Sequence, residues 1–545
     1  MTAQRTNPLL VVSIGVAVLV GLPVASLLGG ILGSGTGATW SHLAATVLPE
    51  YLVNTLLLCF GVGSGVVLVG VTTAWLTAMH EFPGKRFFEW ALVLPMAMPA
   101  YVMAYVYTDF LQFVGPLQSA LRESFGWDRS DYWFPEVRSL GGAVAMFVFV
   151  LYPYVYLLAR TAFLERASRL AEAARMLGLG PWRSFFRVSL PLARPAVVAG
   201  TTLALMETLA DYGTVSYFAV QTFTTGIYRA WFSLGDRLAS AQLAAALLGF
   251  VVVLLAVEQL SRGRASFQNT GGHRQRRSGQ RLPGGQAILA VAACSLPLAV
   301  GFVVPAYLLL RLALGEHEAS PFAGHFLVLA RNSLVLASVT ALTALVLAVL
   351  LAYGERLAKG PLARLLNRLV SLGYAVPGSV IAVGVLIPVT RLDHWLANQW
   401  QEWTGENPGL VLTGGIAALV YAYLVRFLAI ALQTVGTGLA RITRHMDEAA
   451  RSLGLAQWPT LCRVHLPILR GTLFAAGLLV FVDVMKELPA TLVMRPFDFD
   501  TLATQAYTLA SDERLGEAAA VSLAIVVVGL LPLIVLGRQI ARSHR

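Results

Sequence analysis

A chain of 545 residues with 57% hydrophobic and 13% charged residues is not an ordinary soluble enzyme, in which about a quarter of the residues would be charged. Its mean hydropathy of +0.69 asks for a bilayer as solvent. The formal charge of +11 could suit nucleic acid, but the basic residues sit in loops flanking apolar runs, where membrane orientation accounts for them.

In chain order, apolar runs of about the 20 residues needed to cross hydrocarbon fall at 9–32, 52–78, 87–113, 139–162, 190–210, 238–260, 286–313, 327–353, 367–390, 409–432, 471–490 and 515–537. The first has no clear small-residue cleavage site and leads into another span, so it reads as a retained anchor. Arg and Lys collect in alternate loops: Lys85 and Arg86, Arg160 to Arg187, Arg262 to Arg281, Arg356 to Arg364, Arg441 to Arg463, then Arg538 to Arg545. Because short cytoplasmic loops gather such residues, both termini are expected in the cytoplasm.

The predicted elements repeat. Residues 261–285, rich in Arg and Gly and lacking apolar periodicity, read as a basic cytoplasmic linker between halves 1–260 and 286–545. Asn54-Thr-Leu resembles Asn332-Ser-Leu, Met98-Pro99 resembles Val376-Pro377, and the stretch from Phe223 to Trp231 resembles that from Phe499 to Tyr507, at offsets of 276 to 278. Each half holds six spans, an even number, so the two share one orientation about an axis along the membrane normal. The fold expected is all-α and polytopic, with about twelve transmembrane helices in two homologous six-helix halves.

The most informative repeat is polar. Glu172-Ala-Ala-Arg-Met-Leu-Gly178 followed by Val188-Ser-Leu-Pro191 returns as Glu448-Ala-Ala-Arg-Ser-Leu-Gly454 followed by Val464-His-Leu-Pro467. Within the loops 163–191 and 439–467, leucine and alanine recur at helical spacing. Glu165–Arg169, Arg444–Glu448 and Asp447–Arg451 stand four apart on the polar side. Gly178 and Gly454 stand where a helix must stop, and a second short helix can begin near Pro181. Helix, glycine bend and helix form a knob projecting from the membrane. A helix lying on lipid headgroups needs amphipathicity but no register, so two copies with identical fixed positions point to one partner bound twice.

This pattern resembles the cytoplasmic signature of permease subunits of binding-protein-dependent ATP-binding-cassette (ABC) importers. It departs from the usual pattern only in Val188 and Val464, where Ile is common. The resemblance implies the type I ABC importer permease fold, with each knob a coupling helix seated in a groove of a separate ATPase. Glu172, Ala173, Ala174 and Gly178, with Glu448, Ala449, Ala450 and Gly454, would then form the ATPase-docking sites, for two ATPase copies. The chain is expected to hold no cofactor and to be no enzyme, ATP and Mg²⁺ residing on the ATPase subunits. A phosphate loop needs Gly-Lys-Ser/Thr, yet Lys85, Lys359 and Lys486 precede Arg86, Gly360 and Glu487.

The run from Val484 to Thr504, with Glu207 to Thr214 and Thr222 to Tyr228, looks like ferric-iron importers. That likeness implies a ferric-iron-binding periplasmic protein as partner and the bacterial inner membrane as location. Fused thiamine permeases share the architecture and are the rival. Glu207, Asp211, Asp483 and Glu487 sit in or just beyond the spans after the knobs. An ionised group at mid-membrane costs at least about 2.5–3.5 kcal/mol on insertion scales. Such acids either line a translocation pathway attractive to a hard cation or lie at the outer interface, with Lys486 neutralising a neighbour.

Tyr101, Tyr105, Tyr107 and Asp109, and Glu316-His317-Glu318 with His325, offer oxygen and nitrogen ligands, but interfacial tyrosines and solvated loop residues are the plainer readings. No metal site follows. Cys59, Cys294 and Cys462 form no CxxC pair and support neither a disulfide framework nor a zinc knuckle. A gradient-driven carrier could share twelve spans but needs neither duplicate knobs nor an ATPase. A membrane-embedded enzyme lacks a nucleophile–base or metal constellation.

Overall fold

The computed structural model describes residues 8–34, 38–164, 180–262, 280–315, 322–358 and 360–542. Eleven of its helices are long and apolar enough to cross a membrane, and a bent pair, Lys85–Ala97 with Ala100–Phe125, makes up to twelve. Every apolar run in the sequence has such a helix or pair over it. Strand is confined, among the described residues, to a two-residue parallel pairing of His80–Glu81 with Gln280–Arg281.

Two spans expected to be continuous are broken, and proline is the reason. The third bends by 91° between Ala97 and Ala100. There Met98 is extended at φ −90°, ψ 118°, and Pro99 follows at ψ 139°. In the second half Val376 takes φ −76°, ψ 110° ahead of Pro377, so the run expected at 367–390 becomes Pro361–Ser371 and then Gly378–Thr404. Proline's ring clashes with an α-helical residue before it, forcing that residue extended and ending the helix there. Gly378–Thr404 is also longer than expected, 27 residues, or about 40 Å at 1.5 Å per residue.

The chain packs as two compact units that cut across the sequence halves. One gathers Met1–Ala44, Gly226–Leu248 and Glu318–Thr508, the other Ala45–Thr225, Gly249–His317 and Leu509–Arg545. In the first unit the N-terminal helix lies on second-half spans, with Ser26 Oγ donating to Gly384 O at 2.5 Å and Tyr421 Oη to Leu19 O at 2.6 Å. In the other, Tyr107 Oη donates to Val300 O at 2.6 Å and Tyr105 Oη to Ser522 Oγ at 2.8 Å. Tyr105 and Tyr107, two of the tyrosines considered as metal ligands, are thus structural hydrogen-bond donors.

Close helix approach explains the tightest seam. Helix Leu48–Met79 lays Gly61, Gly65 and Gly70 against Val144, Val148 and Val155 of helix Leu140–Ala162. A Cβ on Gly65 would sit 2.3 Å from Val148 Cγ2. In a bilayer, where lipid is as apolar as leucine, such small-residue contacts replace hydrophobic collapse as the force between helices. Elsewhere on helix Leu48–Met79, Phe60 at 77% and Leu68 at 71% stay exposed, as acyl chains require.

Candidate functional site

Glu172, Ala173, Ala174 and Gly178 lie outside the described residues, as do Glu316, His317 and Glu318. The second loop is described throughout. Helix Ala417–Ala440 ends, Thr443 turns extended at φ −65°, ψ 150°, and helix Arg444–Ser452 begins. Its stop is a left-handed glycine, Gly454, at φ +80°. Leu455 N donates to Ala450 O at 3.0 Å and Gly454 N to Arg451 O at 2.9 Å. This is the Schellman arrangement, which satisfies carbonyls a helix end would otherwise orphan. Gln457–Thr460, a wide turn at Leu461–His465 and helix Leu466–Met485 follow, with Pro467 in the first turn of that helix.

The knob has two faces. Ala450 is buried and Asp447 half-buried, while Glu448, Ala449, Arg451 and Gly454 are exposed. Met446, Leu453 and Trp458 also present apolar surface, Leu453 at 81% exposure. Glu448 is 3.2 Å from His445 Nδ1 with both side chains largely in solvent, a contact of little energetic value. Its carboxylate is therefore accessible to a partner. Asp447, expected to face Arg451, turns inward instead: Arg356 Nη2 donates to its Oδ2 at 2.8 Å and His465 Nε2 lies 2.7 Å from its Oδ1. Burial of Ala450 rotates the helix so that position 447 faces the spans.

The four acids separate by role and by unit. Asp211 Oδ1 accepts from Thr214 N at 2.8 Å and Val215 N at 3.4 Å, at the start of short helix Gly213–Tyr217. Glu487 accepts from Ala490 N at 2.9 Å and Thr491 N at 3.1 Å, at the start of Pro489–Met494. Each carboxylate meets the N–H groups that a helix start leaves unpaired. Glu487 also lies 3.7 Å from Arg426 Nη1, both buried. Asp483 pairs with Lys486 at 2.9 Å. Glu207 and Asp211 belong to one unit, Asp483 and Glu487 to the other.

Beyond these caps the repeat shifts register. Asn54 Nδ2 donates to Gln221 O and Asn332 Nδ2 to Asp500 O, each at 3.0 Å. Thr222 N donates to Thr225 Oγ1 at 2.8 Å, and Thr501 N to Thr504 Oγ1 at 2.9 Å. Thr222 thus corresponds to Thr501, an offset of 279, and the expected alignment of Phe223 with Phe499 is corrected by three residues. The extra residues enter between Glu487 and Thr501, where Arg495 pairs with Asp500 around the exposed Phe497. Matching by residue type alone drew the two phenylalanines together; hydrogen bonding restores the threonines.

The family model of the binding-protein-dependent transport system inner membrane component matches residues 67–264 and again 344–544. The chain belongs to this family. The permease is 26% identical over 90% of its length to the Fe(3+)-transport system permease protein FbpB 2 of Haemophilus influenzae, covering 90% of that protein. To the molybdenum transport system permease protein ModB of Escherichia coli strain K12 it is 29% identical over 40% of its length and 97% of that protein's. To the probable sulfate transport system permease protein cysT of Chlorokybus atmophyticus it is 35% identical over 27% of its length and 48% of that protein's. The permease is accordingly a fused, two-half membrane component of an ABC importer, multi-pass in the inner membrane, whose family works with ATPase and substrate-binding partners.

Sequence reasoning missed Arg356 and Tyr353 as parts of the knob, and gave His465, inside the repeated loop, no role. Arg356 counted only as a basic loop residue, and no local pattern ties it to Asp447, 91 positions later.

Proposed function

We propose that the permease imports ferric iron from periplasm to cytoplasm, with both termini cytoplasmic and a ferric-iron-binding periplasmic protein as donor. In this reading the two knobs receive two copies of a separate ATPase that carries ATP and Mg²⁺, and the permease itself breaks no covalent bond. The observation that carries the docking part is the exposed Glu448 on a helix closed by left-handed Gly454, repeated in sequence at Glu172, Ala173, Ala174 and Gly178. Nucleotide-driven closure of the ATPases moves the knobs, and the knobs move the spans between inward- and outward-open states.

The substrate reading is supported by extent of likeness. The relative named for Fe(3+) transport is matched over 90% of this chain, whereas those named for molybdenum and sulfate are matched over 40% and 27%. Molybdate or sulfate is the second reading, favoured by the higher identities of those shorter matches. Of the four acids assigned to the pathway, Asp211 and Glu487 act by capping the short helices that follow the spans after the knobs, Asp483 is balanced by Lys486, and Glu207 supplies negative potential along the route.

The test is ATP hydrolysis by the reconstituted permease, ATPase and binding protein, titrated separately with ferric ion, molybdate, sulfate and thiamine. Stimulation by ferric ion is expected. A response to one of the others without a ferric response replaces the substrate and leaves the transporter class standing.

A further inference from the structure

Arg356 closes the C-terminal end of helix Phe322–Leu357, and its guanidinium is almost fully spent on one neighbourhood. Nε and Nη2 donate to Asp447 Oδ2 at 3.0 and 2.8 Å. Nη1 donates to Leu439 O at 2.7 Å, and Nη2 to Ile442 O at 2.9 Å and Thr443 O at 3.3 Å. Asp447 holds His465, whose side chain is 0% exposed, at 2.7 Å. One turn before Arg356, Tyr353 Oη donates to Gln457 O at 2.7 Å, and its ring meets His465 edge-on at 5.5 Å. These bonds join the ends of three spans, Phe322–Leu357, Ala417–Ala440 and Leu466–Met485, to both short helices of the knob.

We propose that Arg356, Asp447 and His465 are positioning residues that make the second docking knob a rigid extension of those three spans, with a set of residues that the first half does not repeat. The planar guanidinium suits the task because its donors are fixed relative to one another, so each added bond removes a direction of knob motion. Half-buried, hydrogen-bonded charge pairs also hold more firmly than exposed ones.

The four residues of this hub are not repeated in the first half. At the 278-residue offset relating Asn54 to Asn332, Tyr353 and Arg356 stand where Trp75 and Ala78 stand; at the 276-residue offset of the knobs, Asp447 and His465 correspond to Ala171 and Ser189. What the first half has instead is aromatic. Trp75 lies 4.8 Å from Phe185 and 5.4 Å from Trp182, ring centre to ring centre. The segment from Trp182 to Phe185 packs on Trp75 by ring contact, whereas the second knob is held through ions and hydrogen bonds, which cannot slide without breaking.

The proposal rests on the docking role of the knobs for its consequence, and on geometry alone for the anchorage. Spin labels placed by Leu453→Cys and Leu342→Cys, on the exposed tip of the knob and the exposed side of helix Phe322–Leu357, in a background with Cys59, Cys294 and Cys462 replaced by Ser, report that anchorage in the permease without its ATPase. Asp447→Asn is expected to broaden the distance distribution, and Tyr353→Phe, which removes a single bond and spares folding, to broaden it less. Unchanged widths in both variants overturn the hub. In the complete transporter, Asp447→Asn is expected to keep the ATPase bound while solute moved per ATP falls about two- to thirtyfold, the range over which connecting contacts modulate coupling. An unaltered ratio alongside a broadened distribution overturns the coupling role of the hub. Failure of the docking reading shows separately, as a full complement of ATPase retained when Glu172→Arg and Glu448→Arg are combined.

Discussion

Asp211 and Glu487, 276 positions apart, make the same two backbone hydrogen bonds, each to the amides three and four residues ahead. They differ in surroundings: among the described residues, of the two only Glu487 has a guanidinium within 4 Å, that of Arg426 at 3.7 Å. Asp211→Ala should therefore lose a cap alone, about 0.5–2 kcal/mol. Glu487→Ala loses the cap and a buried charge partner as well, about 3–5 kcal/mol. Thermal unfolding of the two variants in one detergent should place Glu487→Ala clearly below Asp211→Ala; equal midpoints would remove Arg426 from the account.

Glu448 is the exposed carboxylate of the described knob. Glu448→Arg should leave the unfolding midpoint unchanged within about 0.5 kcal/mol, as surface substitutions do. It should weaken ATPase retention about tenfold, equivalent to about 1.4 kcal/mol. Combined with Glu172→Arg, retention on an affinity column should vanish. Retention of a full complement of ATPase by the double variant contradicts the docking assignment.

How legible was this in the sequence? Spans were, because hydrocarbon demands some 20 apolar residues whatever their neighbours, and twelve runs have their helices. Breaks at Pro99 and Pro377 were written there too, in the residue before each proline, but apolar length masked them. The knob's bend was legible from Gly454, since one glycine fixes it locally. Its inner attachment was not. Asp447 looked like a partner for Arg451, four residues away, and only the packing of Ala450 reveals that it points toward Arg356. Helix exchange between the packing units was equally hidden, because apolar spans carry no label for their neighbours.

Gly454 holds φ +80° with nothing within 4 Å of a would-be Cβ, so substitution there meets backbone strain and no crowding. A left-handed L-residue costs roughly 1–2 kcal/mol, and a β-branched one is the least tolerant. Gly454→Val should undo the bend, reducing uptake and ATPase retention while the spans melt at the parental temperature. Gly454→Asn, whose side chain tolerates this region, should retain most of both. Protease accessibility at Arg451 gives an independent reading: faster cleavage is expected in Val and near-parental cleavage in Asn.

Gly65 and Gly249 separate close approach from flexibility, since both sit inside long spans and only one is crowded. A Cβ at Gly65 meets Val148 Cγ2 at 2.3 Å, whereas one at Gly249 meets nothing within 4 Å. In a helix interior, Gly→Ala by itself is worth about 0.5–1 kcal/mol of stabilisation. Gly249→Ala should therefore raise the unfolding midpoint or leave it unmoved. At Gly65 the added methyl forces helices Leu48–Met79 and Leu140–Ala162 apart, an overpacking penalty of about 1–3 kcal/mol that outweighs the propensity gain. Val148→Ala should then rescue Gly65→Ala, because it removes the methyl groups that clash. If the double variant melts no higher than Gly65→Ala alone, the seam between these helices is held by something other than this contact.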